Sequence, residues 1–121
     1  MASTDMKVLY RSHAPAALSR ANEVKRIRYA LKREVSALSE PDGRERVVAL
    51  LIDPPDGMEG ARIGDVLSWI RLWGDDRVTR FLARAGISGE KAIVVTPARY
   101  GHDLALTPRQ RAMIAERLRA I

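Results

Sequence analysis

Few residues in this chain are of a type that does covalent chemistry, and those few stand apart. The two histidines, His13 and His102, fall in different, weakly patterned segments. His102 has Asp103 beside it, but neighbours on a chain point apart, so the pair makes a poor acid–base couple and a poor metal site. Asp53 and Asp56 flank Pro54 and Pro55. That is ordinary turn chemistry, and the spacing fits no calcium loop. Ser3, Ser12, Ser19, Ser36, Ser39, Ser68 and Ser88 have no histidine suggested as a partner, and there is no cysteine. No phosphate-cradling pattern of the G-x-x-x-x-G-K kind occurs. The expectation is a protein that is not an enzyme and uses no cofactor, metal or small-molecule substrate.

The residues that do gather are cations. Between positions 20 and 34 stand Arg20, Lys25, Arg26, Arg28, Lys32 and Arg33 against Glu23 and Glu34, a net of +4 from a chain total of +6. On a helical wheel Lys25, Arg28 and Lys32 share one side, with Arg26 and Arg33 flanking them. Such a face is either simply solvated or tracks a phosphate backbone. The sequence pI of about 10.3 favours an anionic partner. Subtracting Lys7, Lys25, Lys32 and Lys91 from the 21 basic residues leaves 17 arginines. The guanidinium fork suits phosphate and guanine edges, although a GC-rich genome yields the same ratio.

The elements that must position these cations read as helices. Val24, Ile27, Leu31, Val35 and Leu38 form the apolar stripe of a helix over about 16–38, opened by Pro15 and preceded by a flexible arm at 1–15. Ser39–Gly43 reads as a turn. A second helix follows over about 44–52, with Val47, Val48, Leu50, Leu51 and Ile52 as core. Asp53–Gly57 stops it. Ile63, Val66, Leu67 and Ile70, then Val78, Phe81, Leu82 and Ala85, repeat i, i+3, i+4, i+7 on either side of Gly74. Two helices joined by about two residues are expected there, with Gly74 in a left-handed end position and Asp75 or Asp76 capping the next helix. Trp69 and Trp73 read as core or interface anchors. Ala92–Val95 is either a short edge strand or an extended segment inserted in the core. Thr107-Pro-Arg-Gln110 has the capping-box pattern of a last helix, with Met113, Ile114, Leu118 and Ile121 facing inward. The fold class is therefore all-α, about five helices in one domain over 16–121. No run is long and apolar enough to span a membrane, and no signal-peptide core is present, so a cytoplasmic protein is expected.

Residues 63–87 resemble, without gaps, the helix–two-turns–helix segment of the actinobacterial integration host factor family. The resemblance rests on Ile63, Val66, Leu67, Ile70, Gly74, Phe81, Leu82 and Ile87. The basic helix ending Tyr29-Ala-Leu-Lys-Arg33 and the Leu106-Thr-Pro-Arg-Gln-Arg111 stretch extend it to about 18–121, with an insertion around 97–105. The resemblance implies a nucleoid-associated protein that binds duplex DNA with little sequence preference, bends or compacts it, and serves either nucleoid organisation or phage recombination, a recombinase or other protein being a further candidate partner. Gly74 falls on the glycine whose turn approaches the DNA backbone, Arg77 on a lysine after it, and Arg109 and Arg111 on the basic residues opening the last helix. Asp75 stands where the family has lysine and Asp76 where it has an apolar residue, so the turn itself opposes phosphate. Lys25, Arg26, Arg28, Lys32 and Arg33, with Gly74, Arg77, Arg80, Arg84, Arg99, Arg109 and Arg111, are the expected DNA contacts, converging on one surface. Two other readings remain: a protein-interaction module on the same fold, motivated by Asp75, Asp76 and an exposed Trp69 or Trp73, and an RNA- or ribosome-associated protein.

Overall fold

The computed structural model describes residues 2–94 and 105–121, with side chains from residue 16 onward except residue 17. Arg99 and most of the 97–105 insertion lie outside the described residues. Five helices follow in order: α1 (Ala2–Ala37), α2 (Glu40–Ile52), α3 (Ile63–Ser68), α4 (Asp75–Ala85) and α5 (Pro108–Arg119). Among the described residues there is no strand beyond two isolated bridges, so the chain is mainly helical as its periodicity predicts.

Helix α1 runs back to Ala2, with Pro15 inside it, rather than starting at Ala16. Its stripe docks as expected: Val24, Leu31 and Val35 are buried and Ile27 packs on the core. Ser39–Gly43 is not a turn between helices but the start of α2. The Ser39 hydroxyl accepts from the Asp42 amide, Pro41 sits in the first turn, and Glu40 and Asp42 place carboxylates at the helix's positive end. Val47, Val48, Leu50 and Leu51 are buried, but Ile52 is 54% exposed, because the helix ends there and its last side chain points off the packed face. Helices α2 and α5 form the most extensive helix pair. Ile114, Ala115 and Leu118 fill that contact, whereas Ile121, beyond the end of α5, is exposed rather than inward. The α5 capping box forms: the Thr107 hydroxyl accepts from the Gln110 amide at 3.1 Å and the Gln110 side chain accepts from the Thr107 amide at 3.0 Å.

The hairpin differs from its sequence reading. Helix α3 stops at Ser68, and six residues, 69–74, connect it to α4. Trp69, Ile70 and Trp73 turn inward and are buried. They use the apolar periodicity of a helix to fill the core from a turn. Gly74 is extended (φ −76, ψ 176) and is itself the cap of α4, so Asp75 and Asp76 fall inside the first turn. The left-handed position belongs to Leu72, at φ 70 and 78% exposed. A leucine pays roughly 1–2 kcal/mol for that conformation and recovers little by burial here. Leu72→Asn is therefore expected to stabilise the fold by about 0.5–1 kcal/mol in urea titration. A neutral or negative effect would mean that Leu72 is not held left-handed.

The segment after α4 is inserted rather than added as an edge. Ile93 is fully buried, its amide donates to Ala61 O at 2.8 Å, and Ala92 O accepts from the Leu106 amide at 2.8 Å. The Gly64 amide donates to Gly89 O at 2.9 Å, a backbone approach close enough that a side chain at Gly64 would press on that carbonyl.

Candidate nucleic-acid interface

Burial of the α1 stripe leaves the adjacent side of the helix facing α3 across an open groove. Lys25, Arg28, Tyr29 and Lys32 line its α1 wall, with Asp65, Ser68 and Trp69 opposite, around a volume of about 390 Å³. Lys25 and Lys32 are exposed and Arg28 is half-buried. Arg26 and Arg33 are exposed on the same helix. None of these five cations forms a salt bridge among the described residues.

The contrast with the other arginines is informative. Arg20 is spoken for, donating to Asp56 at 2.8 Å and Glu59 at 2.8 Å and pairing with Glu23. Its hydrogen bonds hold the Asp56 carboxyl below the ordinary value. Arg46 pairs with Glu34, and Arg44 with Glu40. Of the six cations counted in 20–34, the one the fold consumes is Arg20, and both carboxylates of that stretch are themselves paired. Lys25, Arg26, Arg28, Lys32 and Arg33 keep no such partner among the described residues.

Arg77, Arg80 and Arg84 line a second groove, of about 350 Å³, with Trp73, Phe81 and Ile121. It shares no residue with the first. The α3–α4 groove is lined by Asp65, Asp75 and Glu90 against Arg62. The cations of α1 and α4 thus line separate grooves rather than one shared groove, with the acidic one distinct from both. Gly74 has open space around it, beside the exposed Asp75 and Asp76.

Arg77 is also partly committed. Its guanidinium lies 4.4 Å from the Trp73 ring centroid and donates to Glu40 Oε1 at 3.3 Å. That same oxygen accepts from Trp73 Nε1 at 2.9 Å and Arg44 Nε at 2.8 Å. Trp73 in turn meets Phe81 edge-on, ring centroids 5.3 Å apart. The Trp73 hydrogen bond, then those of Arg44, hold the Glu40 carboxyl below its usual value despite partial burial. A depressed carboxylate contributes stability above its unfolded value, about 4.3, and loses it as pH falls through the lower folded value. Glu40→Ala is expected to cost about 1–3 kcal/mol at pH 7 by orphaning the Trp73 N–H. The gap from wild type should narrow below about pH 4. A gap independent of pH in urea titrations would show that charge is irrelevant there.

Arg109 is exposed near the start of α5. Arg111 is not poised for a ligand in the same way: its Nη1 donates to Ile93 O at 3.2 Å and its Nε is buried. It ties the inserted segment to α5, which is reason enough for a cation early in that helix. Trp69 and Trp73 are both buried, so neither offers an exposed aromatic surface.

No family model, curated protein or solved structure matches this chain. No helix among the described residues is long and apolar enough to cross a membrane. The residue brought to the groove that sequence reasoning passes over is Tyr29. Its signal was available: with Lys25, Arg28 and Lys32 it completes an i, i+3, i+4, i+7 stripe directly beside the buried one.

Proposed function

We propose that this chain is a non-enzymatic, low-specificity duplex DNA-binding protein of the integration-host-factor type, acting in nucleoid organisation or recombination. The observation that carries the reading is the set of five α1 cations without salt-bridge partners, three of them on one groove, in a fold that pairs many of its other arginines internally. Phosphate contacts of this kind position a protein without reading bases. Of the contacts expected from the sequence, this reading keeps those of α1 and sets aside the hairpin turn, where Asp75 and Asp76 repel phosphate.

About five contacts imply that log K for a generic duplex falls against log salt with a slope of about −4 to −5. Mobility-shift titrations on unrelated duplexes across a salt series test this. A flat response, or no binding at low salt, removes the reading. Duplex RNA bound more tightly than DNA would favour the ribosome-associated alternative.

One corner favours a second reading, a protein-interaction surface: Leu72 is exposed beside Asp75 and Asp76. DNA binding that appears only in Asp75→Lys/Asp76→Val would support it.

A further inference from the structure

The α1–α3 groove is chemically lopsided. One wall carries Lys25, Arg28 and Lys32, whereas the other carries Asp65, its sole carboxylate, with Ser68 and the largely buried Trp69. A groove meant only for backbone phosphates gains nothing from a carboxylate on its far wall, which would repel them. A nucleotide turned into it meets complementary chemistry on both sides. Its phosphates lie along α1, and an exocyclic base amine can donate to Asp65.

Tyr29 stands on the cationic wall, 68% exposed, amid the three cations of its stripe. Scattered surface aromatics need no explanation, but this ring lines a groove together with three cations. Aromatic rings interleaved with cations stack unpaired bases while the cations hold the backbone.

We infer that the α1–α3 groove takes an unpaired DNA base, stacked on Tyr29 with its amino edge toward Asp65, so that the protein prefers gapped or distorted duplexes to perfect ones. This rests on the proposed DNA reading and adds to it the state of the DNA recognised.

The test compares a 30-base-pair duplex with the same duplex carrying a two-nucleotide gap, with 2-aminopurine among the unpaired bases. Wild type is expected to bind the gapped form about tenfold more tightly, and the 2-aminopurine emission should be quenched on binding. Tyr29→Phe keeps both the ratio and the quenching. Tyr29→Leu brings the ratio to about one and abolishes the quenching. Equal binding of both DNAs by wild type, or a ratio unchanged in Tyr29→Leu, overturns the inference while leaving duplex binding intact. No binding to either DNA removes the underlying reading as well.

Discussion

Gly57→Ala is expected to destabilise the protein by about 3–5 kcal/mol. Two costs coincide there. The backbone sits at φ +94, a conformation side chains rarely adopt, and a Cβ would lie 2.5 Å from Ile27 Cγ2 and 2.8 Å from Ile27 Cβ and Cδ1. Ile27 cannot step aside easily, because a β-branched side chain on a helix has essentially one rotamer. Relief must come from α1 lifting off the 53–62 loop. Since α1 supplies the cationic wall of the groove, its displacement should weaken DNA binding along with stability. Urea titration of Gly57→Ala, Ile27→Ala and the double variant separates the two costs. Ile27→Ala should recover the steric part but not the backbone part, giving a favourable coupling of about 1–3 kcal/mol. A Gly57→Ala midpoint equal to that of wild type would refute the close packing of loop and helix.

The helices were legible because each carries a complete local signal. Thr107-Pro-Arg-Gln110 announces α5, and it forms as read. Val24, Leu31 and Val35 define the buried face of α1, and Ala92–Ile93 was open between two states of which the inserted one forms. The departures have two causes: tertiary packing overrides a local helical spacing at the hairpin, and the residues at 39–43 serve a turn or a helix cap equally well. Ile70 continues the helical spacing of Ile63, Val66 and Leu67, but reaches the core from a turn, so α3 is six residues and Leu72, not Gly74, takes the left-handed position. Ser39-Glu-Pro-Asp-Gly43 looked like a turn by composition, yet Ser, Pro and Asp are equally the residues of a capped first helical turn. Met58 and Ala61 are buried in a loop whose proline and glycine content hides them. For the site, one wall of the groove could be read from α1 alone. Its other wall, and the division of cations into separate grooves, depend on how α3 and α4 cross, which no spacing along one helix encodes.

That division makes the second large effect a comparison between two triple variants. Lys25→Ala/Arg28→Ala/Lys32→Ala is expected to lower affinity for a generic duplex by about a hundredfold or more at moderate salt and to reduce the salt slope by about 3. Arg77→Ala/Arg80→Ala/Arg84→Ala should change affinity by less than about threefold, because its groove is separate from that of α1 and Arg77 already answers to Glu40 and Trp73. The two variants remove the same charge, each taking the formal net from +6 to 6 − 3 = +3, so long-range attraction falls equally in both. Any difference between them must then come from where the cations sit. Equal losses would mean that DNA responds to net charge alone, and a larger loss in the α4 variant would return the interface to the hairpin. Truncating Arg77 also frees the Trp73 face, so the α4 variant should lose some stability where the α1 variant, with no internal salt bridges to break, should not. Binding and unfolding measured on the same two proteins therefore move in opposite order, and a shared defect in folding cannot imitate that pattern.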